Sequence, residues 1–412
     1  MGTMLFALGL MSFISVLTVV IPTRWPPLAI PVFFISWLEN ELVVWQLIVQ
    51  IGLAILLVSC GALDFANGQY GLTLLLVSWL GKLTIIQRAY LDQTVLKKAL
   101  KAGLGEDYQY SIDRSIASAM PFELTPASWL KPFALKNTKV KRHQNIAYAE
   151  GGVRNHLDIY RPKNPPSKPM PVLLQIHGGG WIIGNKEEQA LPLINYMAER
   201  NWVCVAINYR LSPADHFPAH IIDVKKAIVW IKENIAQYGG DPNFIVATGG
   251  SAGGHLSLLA GVSANTPEFQ PGFEDKDTSV QGVVPFYGVY DWVGEPAHAG
   301  TNGLQKLLSS QVFPEGGSKF DPLWRQASPL LRELNSTPPI FLIHGKTDAL
   351  ARVDDAQHMF ARLKQESNNI VAYAELPNAQ HAFDVFHSIR ADFTVIGVAQ
   401  FLEYVRSQAS TK

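Results

Sequence analysis

Apolar positions are spread unevenly along this chain. Thr3 to Ile21 holds no charged residue, only hydroxyls among its apolar side chains. A second such stretch runs from Leu42 to Leu63, interrupted by Gln46 and Gln50, and a third from Tyr70 to Ile86 carries Lys82 near its end. Each approaches the roughly 20 residues a helix needs to cross a hydrocarbon core. No basic residue precedes the first stretch, which argues against a cleaved leader. Pro26 to Leu38 is shorter and proline-broken, and reads as interfacial; Trp25, Trp37, Trp45 and Trp79 suit the membrane–water boundary.

Further on the pattern changes. Short apolar runs bounded by turn residues follow one another: Val172 to Ile176, Trp202 to Ile207, Phe244 to Thr248, Pro285 to Tyr290, Ile340 to Gly345 and Val371 to Leu376. These read as buried strands of a mostly parallel sheet flanked by helices, an α/β class. The expected organisation is transmembrane helices over 1–90, a helical linker over 91–140, and an α/β domain over 141–412 with a cap insertion at 293–337. Arg88, Lys97, Lys98 and Lys101 follow the third stretch, and if all three stretches span, the positive-inside bias favours a cytosolic α/β domain; if one lies on the surface, the side inverts.

Composition narrows the options. The 412 residues are 48% hydrophobic, and 34 basic residues balance 34 acidic ones, so nothing favours nucleic acid as a partner. Cys60 and Cys204 are the only cysteines and imply no disulfide framework. Neither a cysteine–histidine cluster nor a phosphate loop occurs, so no metal or nucleotide cofactor is expected.

The chemistry concentrates in a few loops. Gly249-Gly250-Ser251-Ala252-Gly253 fits G-x-S-x-G, a strained strand-to-helix turn that lifts a serine oxygen clear of the backbone. A serine hydroxyl needs a base, and the base needs an orienting carboxylate. Asp348 follows the strand ending at Gly345, and His381 follows the one ending at Leu376, so both lie on loops beyond strand ends, where ligands bind in open α/β sheets. Asp354 and Asp355 read as a solvated helix face, while His255 and His344 read as core histidines. His177-Gly178-Gly179-Gly180-Trp181 follows another strand and supplies an oxyanion loop, with Gly178, Gly179 and Ala252 as main-chain donors and His177 as a brace. Arg210 is expected to tie loops together through a carboxylate or backbone carbonyls.

Together with Asn208-Tyr209-Arg210-Leu211-Ser212-Pro213 and Tyr238-Gly239-Gly240-Asp241-Pro242, these motifs resemble the α/β-hydrolase superfamily. The resemblance is nearest to the hormone-sensitive-lipase-like and feruloyl-esterase-like carboxylesterases and the prenylcysteine methylesterases. It implies a serine esterase acting on lipid or small-molecule esters, anchored to membrane lipids through its N-terminal helices. Gly250 departs from many lipase-like relatives, which carry an acidic residue there. Other readings stay open: acyl transfer or amide cleavage on the same fold, and an inert receptor or scaffold, against which the presence of His381 counts.

Overall fold

The computed structural model describes residues 1–21, 26–113, 126–294, 302–313 and 322–409. Four helices open it: α1 (Gly2–Val20), α2 (Pro26–Glu41), α3 (Val43–Ser59) and α4 (Ala66–Leu104). α1 and α4 are long and apolar enough to cross a membrane, and α2 and α3 form a pair bent by 84°. α1 and α4 run in the same direction, with Gly2 beside Asn67, Gly9 against the Gly71 backbone, and Gly81 against Val16. This small-residue contact lets the two backbones touch, the device by which helices associate in lipid without a hydrophobic driving force. A Cβ on Gly71 would lie 2.5 Å from the Phe6 nitrogen, so only glycine fits. Leu5, Ala54, Leu57 and Leu75 cluster where α1, α3 and α4 meet.

Polar side chains hold the joint. Lys82 of α4 pairs with Glu39 of α2 and donates to Gln46 of α3 at 2.9 Å; Ser15 of α1 donates to Glu39 at 2.7 Å. Four helices thus share one buried network, which sets the angle of α2 against the others. Buried charged groups persist only when paired.

The helical stretch after residue 90 is the second half of α4, not a separate linker. This 39-residue helix runs unbroken from the apolar module into the α/β domain, a length of about 58 Å at 1.5 Å per residue. Its Leu96, Ala99, Leu100 and Leu104 join the core of the α/β domain. Arg390 locks the junction from the other side, pairing with Glu41 of α2 and with Asp92 of α4 at 2.7 Å, all three buried.

The α/β domain is built on eight strands: β1 (Val140–Ala147), β2 (His156–Pro162), β3 (Met170–Ile176), β4 (Val203–Ile207), β5 (Gly240–Gly250), β6 (Gly282–Phe286), β7 (Ile340–Gly345) and β8 (Val371–Leu376). They lie in the order β1-β2-β4-β3-β5-β6-β7-β8, antiparallel at β1 and β2 and parallel from β4 to β8. The central strands are buried on both faces, as their unbroken Val/Ile/Leu runs require. Flanking helices are α5 (Leu191–Glu199), α6 (Ala219–Asn234), α7 (Ala252–Val262), α8 (Asn302–Leu307), α9 (Pro322–Ala327), α10 (Val353–Glu366) and α11 (Ile389–Ala409). Two core clusters, one on each side of the sheet, hold it between these layers. The segment expected as a cap lies partly outside the described residues; α8 and α9 are its described helices.

Candidate active site

The serine turn forms because β5 and α7 approach too closely for side chains. Ser251 adopts φ 58° and ψ −119° between them, and its N–H donates to Phe286 O at 3.0 Å. Added Cβ atoms on Gly249 and Gly253 would both collide with Ile176 O at the end of β3. The two glycines therefore let the turn sit beside the oxyanion loop, and the positive φ at a serine is backbone strain held by that packing. As the first residue of α7, Ala252 has no carbonyl one turn back to accept its N–H.

The loops that carry Asp348 and His381 meet. Asp348 Oδ2 accepts a hydrogen bond from His381 Nδ1 at 2.6 Å, and Asp348 Oδ1 accepts the N–H groups of Leu350 and Ala351, both at 2.8 Å. Burial alone would raise the Asp348 carboxyl, but the charge of His381 and hydrogen bonds from His344 and His381 hold it well below the usual carboxylate range. His344 is buried as expected, yet it also touches the site, with Nε2 3.5 Å from Asp348 Oδ2 and 3.0 Å from Ala351 O. Gln380 joins the loops: its Oε1 accepts from Ala349 N at 2.7 Å and His381 N at 3.0 Å.

Tyr287 links the serine turn to the histidine. Its ring lies 4.6 Å from the His381 ring, and a Cβ on Gly250 would sit 2.6 Å from its hydroxyl. That hydroxyl donates to Asp384, which burial raises above the usual carboxylate range. The departure at Gly250 thus has a steric reason: the space beyond the main chain belongs to Tyr287, with a carboxylate supplied from the histidine loop. Sequence reasoning missed Tyr287 and Asp384. The small residue before Ser251 was the available signal.

His177, which opens the Gly178–Gly180 loop, stacks on Tyr209 at 4.3 Å and is kept neutral by burial, its pKa lowered to about 4. Trp181 donates to His255 Nδ1 at 3.2 Å while His255 Nε2 faces Ala327 O at 2.8 Å, a neutral-imidazole arrangement joining the loop to α7. Gly178 adjoins Ser251, but its N–H already donates to Gln189 Oε1 at 2.6 Å. Arg210 ties its loop to α6 through paired bonds to Asp223, as expected. Asp355, expected in solvent, is buried instead, because α10 turns it toward Tyr290 N and Asp291; burial raises it to about 6. Asp354 pairs with the neighbouring Arg352, partly exposed. A crevice of about 450 Å³ between residues 134–138, α5 and α11 holds none of the residues read as catalytic.

The model of the BD-FAE family matches residues 157–363, half of the chain, including His177 to Trp181, Ser251 and Asp348. A probable carboxylic ester hydrolase, LipM of Mycobacterium tuberculosis, is 43% identical over 80% of this chain and 78% of its own length. The chain belongs to the BD-FAE family of α/β-hydrolase carboxylesterases. The isoprenylcysteine alpha-carbonyl methylesterase ICME of Arabidopsis thaliana is 31% identical over 50% of this chain and 48% of its own. Among solved structures, an inhibited esterase B from Lactobacillus rhamnosis superposes with a TM-score of 0.54 at 21% identity, covering 67% of this chain and 91% of that one, a likeness of fold.

Proposed function

We propose that the protein is a membrane-anchored serine carboxylesterase with Ser251 as nucleophile, His381 as base and then acid, and Asp348 as the orienting carboxylate. The observation that carries this is the buried His381–Asp348 hydrogen bond, which fixes the proton on Nδ1 and leaves Nε2 with a lone pair for the serine proton. Ser251 Oγ attacks the ester carbonyl as His381 takes its proton. The N–H groups of Gly179 and Ala252 receive the developing oxyanion, where a donor is worth about 10²–10³ in turnover. His381 then protonates the leaving alcohol, and water, deprotonated by the same imidazole, releases the acid from the acyl-enzyme.

Anchoring rests on α1 and α4, with α3 as a third pass and the basic residues after Ile86 favouring a cytosolic α/β domain. Esters that partition into lipid are the fitting substrates. The test is hydrolysis of p-nitrophenyl butyrate by the full chain and by Ser251→Ala. Turnover in the variant should fall by about 10⁴-fold or more; unchanged turnover excludes Ser251.

A further inference from the structure

We infer that the site of Ser251, His381 and Asp348 opens at the bilayer surface and takes its ester sideways from the lipid leaflet, with α2 as the wall between lipid and His381. This rests on the esterase reading and on α1 and α4 as membrane spans.

The two faces of α2 carry the argument. One face lies on the histidine loop. Phe33 presents its ring 6.3 Å from the His381 ring, Ser36 Oγ accepts from Gln380 Nε2 at 3.1 Å, and Trp37 donates to Ala382 O at 2.8 Å. Away from that loop Ile30, Phe34, Ile35 and Leu38 are 62%, 51%, 40% and 36% exposed. Helical spacing turns Phe34, Ile35 and Leu38 away from Phe33 and Ser36, and Ile30 borders them on the Trp37 side. A helix pinned on one side to a catalytic loop and wholly apolar on the other has the form of an interfacial helix.

Its direction fits as well. α2 turns 84° from α3, so if α3 follows α1 and α4 across the bilayer, α2 lies along its surface. The buried Lys82–Glu39 network holds that turn in place. Apolar exposure continues around the mouth, on Ile183 of the oxyanion loop (68%) and Leu350 of the acid loop (47%). Ile183 also crowds Gly179, which places it at the donor loop itself. Exposed apolar groups on three separate segments around one site mark a surface that is covered, here by acyl chains continuous with those around α1 and α4. The substrate class is therefore an ester whose alkyl chain is resident in a leaflet.

The test uses the full chain in phosphatidylcholine vesicles, with p-nitrophenyl butyrate in the water or 4-methylumbelliferyl oleate in the bilayer. Lateral uptake predicts an oleate rate that follows its mole fraction in the lipid and stays constant when vesicles are diluted at fixed mole fraction. A rate that follows bulk concentration overturns it. The double variant Ile30→Glu, Ile35→Glu should lose about 10-fold on the oleate ester, about 1.4 kcal/mol, and keep its butyrate rate. Equal losses on both esters, or no loss on either, contradict the proposal. Failure of butyrate hydrolysis in the unaltered chain would instead strike the esterase reading. A nitroxide on Ile30→Cys, in a Cys60→Ser background, gives an independent measure. Preferential collision with oxygen supports lipid contact, whereas preferential collision with a water-soluble nickel chelate, or shielding from both by a second copy, overturns it.

Discussion

Trp37 donates its indole N–H to the carbonyl of Ala382 across 2.8 Å, so a helix of the apolar module holds the residue that follows His381. The same helix reaches Gln380 through Ser36, and Gln380 in turn receives N–H groups from both the acid and the histidine loops. The apolar module is thus part of the frame of the site. Gln380→Ala should release both loops at once, lowering kcat by about 10-fold with little change in KM for a short ester, the pattern of a lost orientation effect. Trp37→Phe keeps the stacking on Phe386 and loses one hydrogen bond, about 1 kcal/mol. Steady-state kinetics on the full chain in detergent checks both.

Arg390 predicts the cost of parting the two modules. Its guanidinium lies between the buried carboxylates of Glu41 and Asp92. Arg390→Met leaves both carboxylates without their cation, which should destabilise the protein by about 3–5 kcal/mol. A thermal-shift measurement that finds no change would show that the contact adds nothing to stability.

Much of this was legible from residue order. The strands around β3, β5, β7 and β8 announce themselves as short apolar runs ending in glycine or proline turns, and the motif residues sit on the loops beyond them. The contact of α2 with His381 was not legible, because it joins Phe33 to a loop almost at the other end of the chain, and no local pattern encodes such a pairing. Asp355 misled for a related reason: an acidic residue in an amphipathic helix reads as solvated, and only the tertiary position of Tyr290 and Asp291 buries it. The bond from Gly178 N–H to Gln189 Oε1, eleven residues on, was not legible either, because a side-chain acceptor in a loop leaves no local pattern.

Tyr287 and Asp384 predict a steric and a polar requirement at one spot. Gly250→Ala should push the Tyr287 ring against His381 and lower kcat by about 10-fold. Tyr287→Phe removes the donor to a buried carboxylate, a loss of about 1–3 kcal/mol in stability. If Gly250→Ala retains full turnover, the close packing beside the serine turn is not required for catalysis.

Asp355 predicts a pH-dependent gain. Its carboxyl is raised to about 6 in the fold from 3.8, so the folded state binds its proton more tightly than the unfolded chain. Its burial therefore costs nothing below about pH 4, and the penalty grows between about pH 4 and 6 and is fully present above that. Asp355→Asn should then be more stable than the native chain above pH 6, by about 1–3 kcal/mol, and show no gain near pH 4. Melting midpoints across that range decide it; a gain of equal size at both ends contradicts the assignment.

The central claim is that one serine, activated by His381 and Asp348, carries the acyl group. Fluorophosphonate labelling of the full chain followed by peptide mapping tests it most directly. The account predicts one phosphonylated residue, Ser251, with labelling abolished in Ser251→Ala and greatly slowed in His381→Ala. An adduct on another residue, or labelling that survives Ser251→Ala, would contradict it.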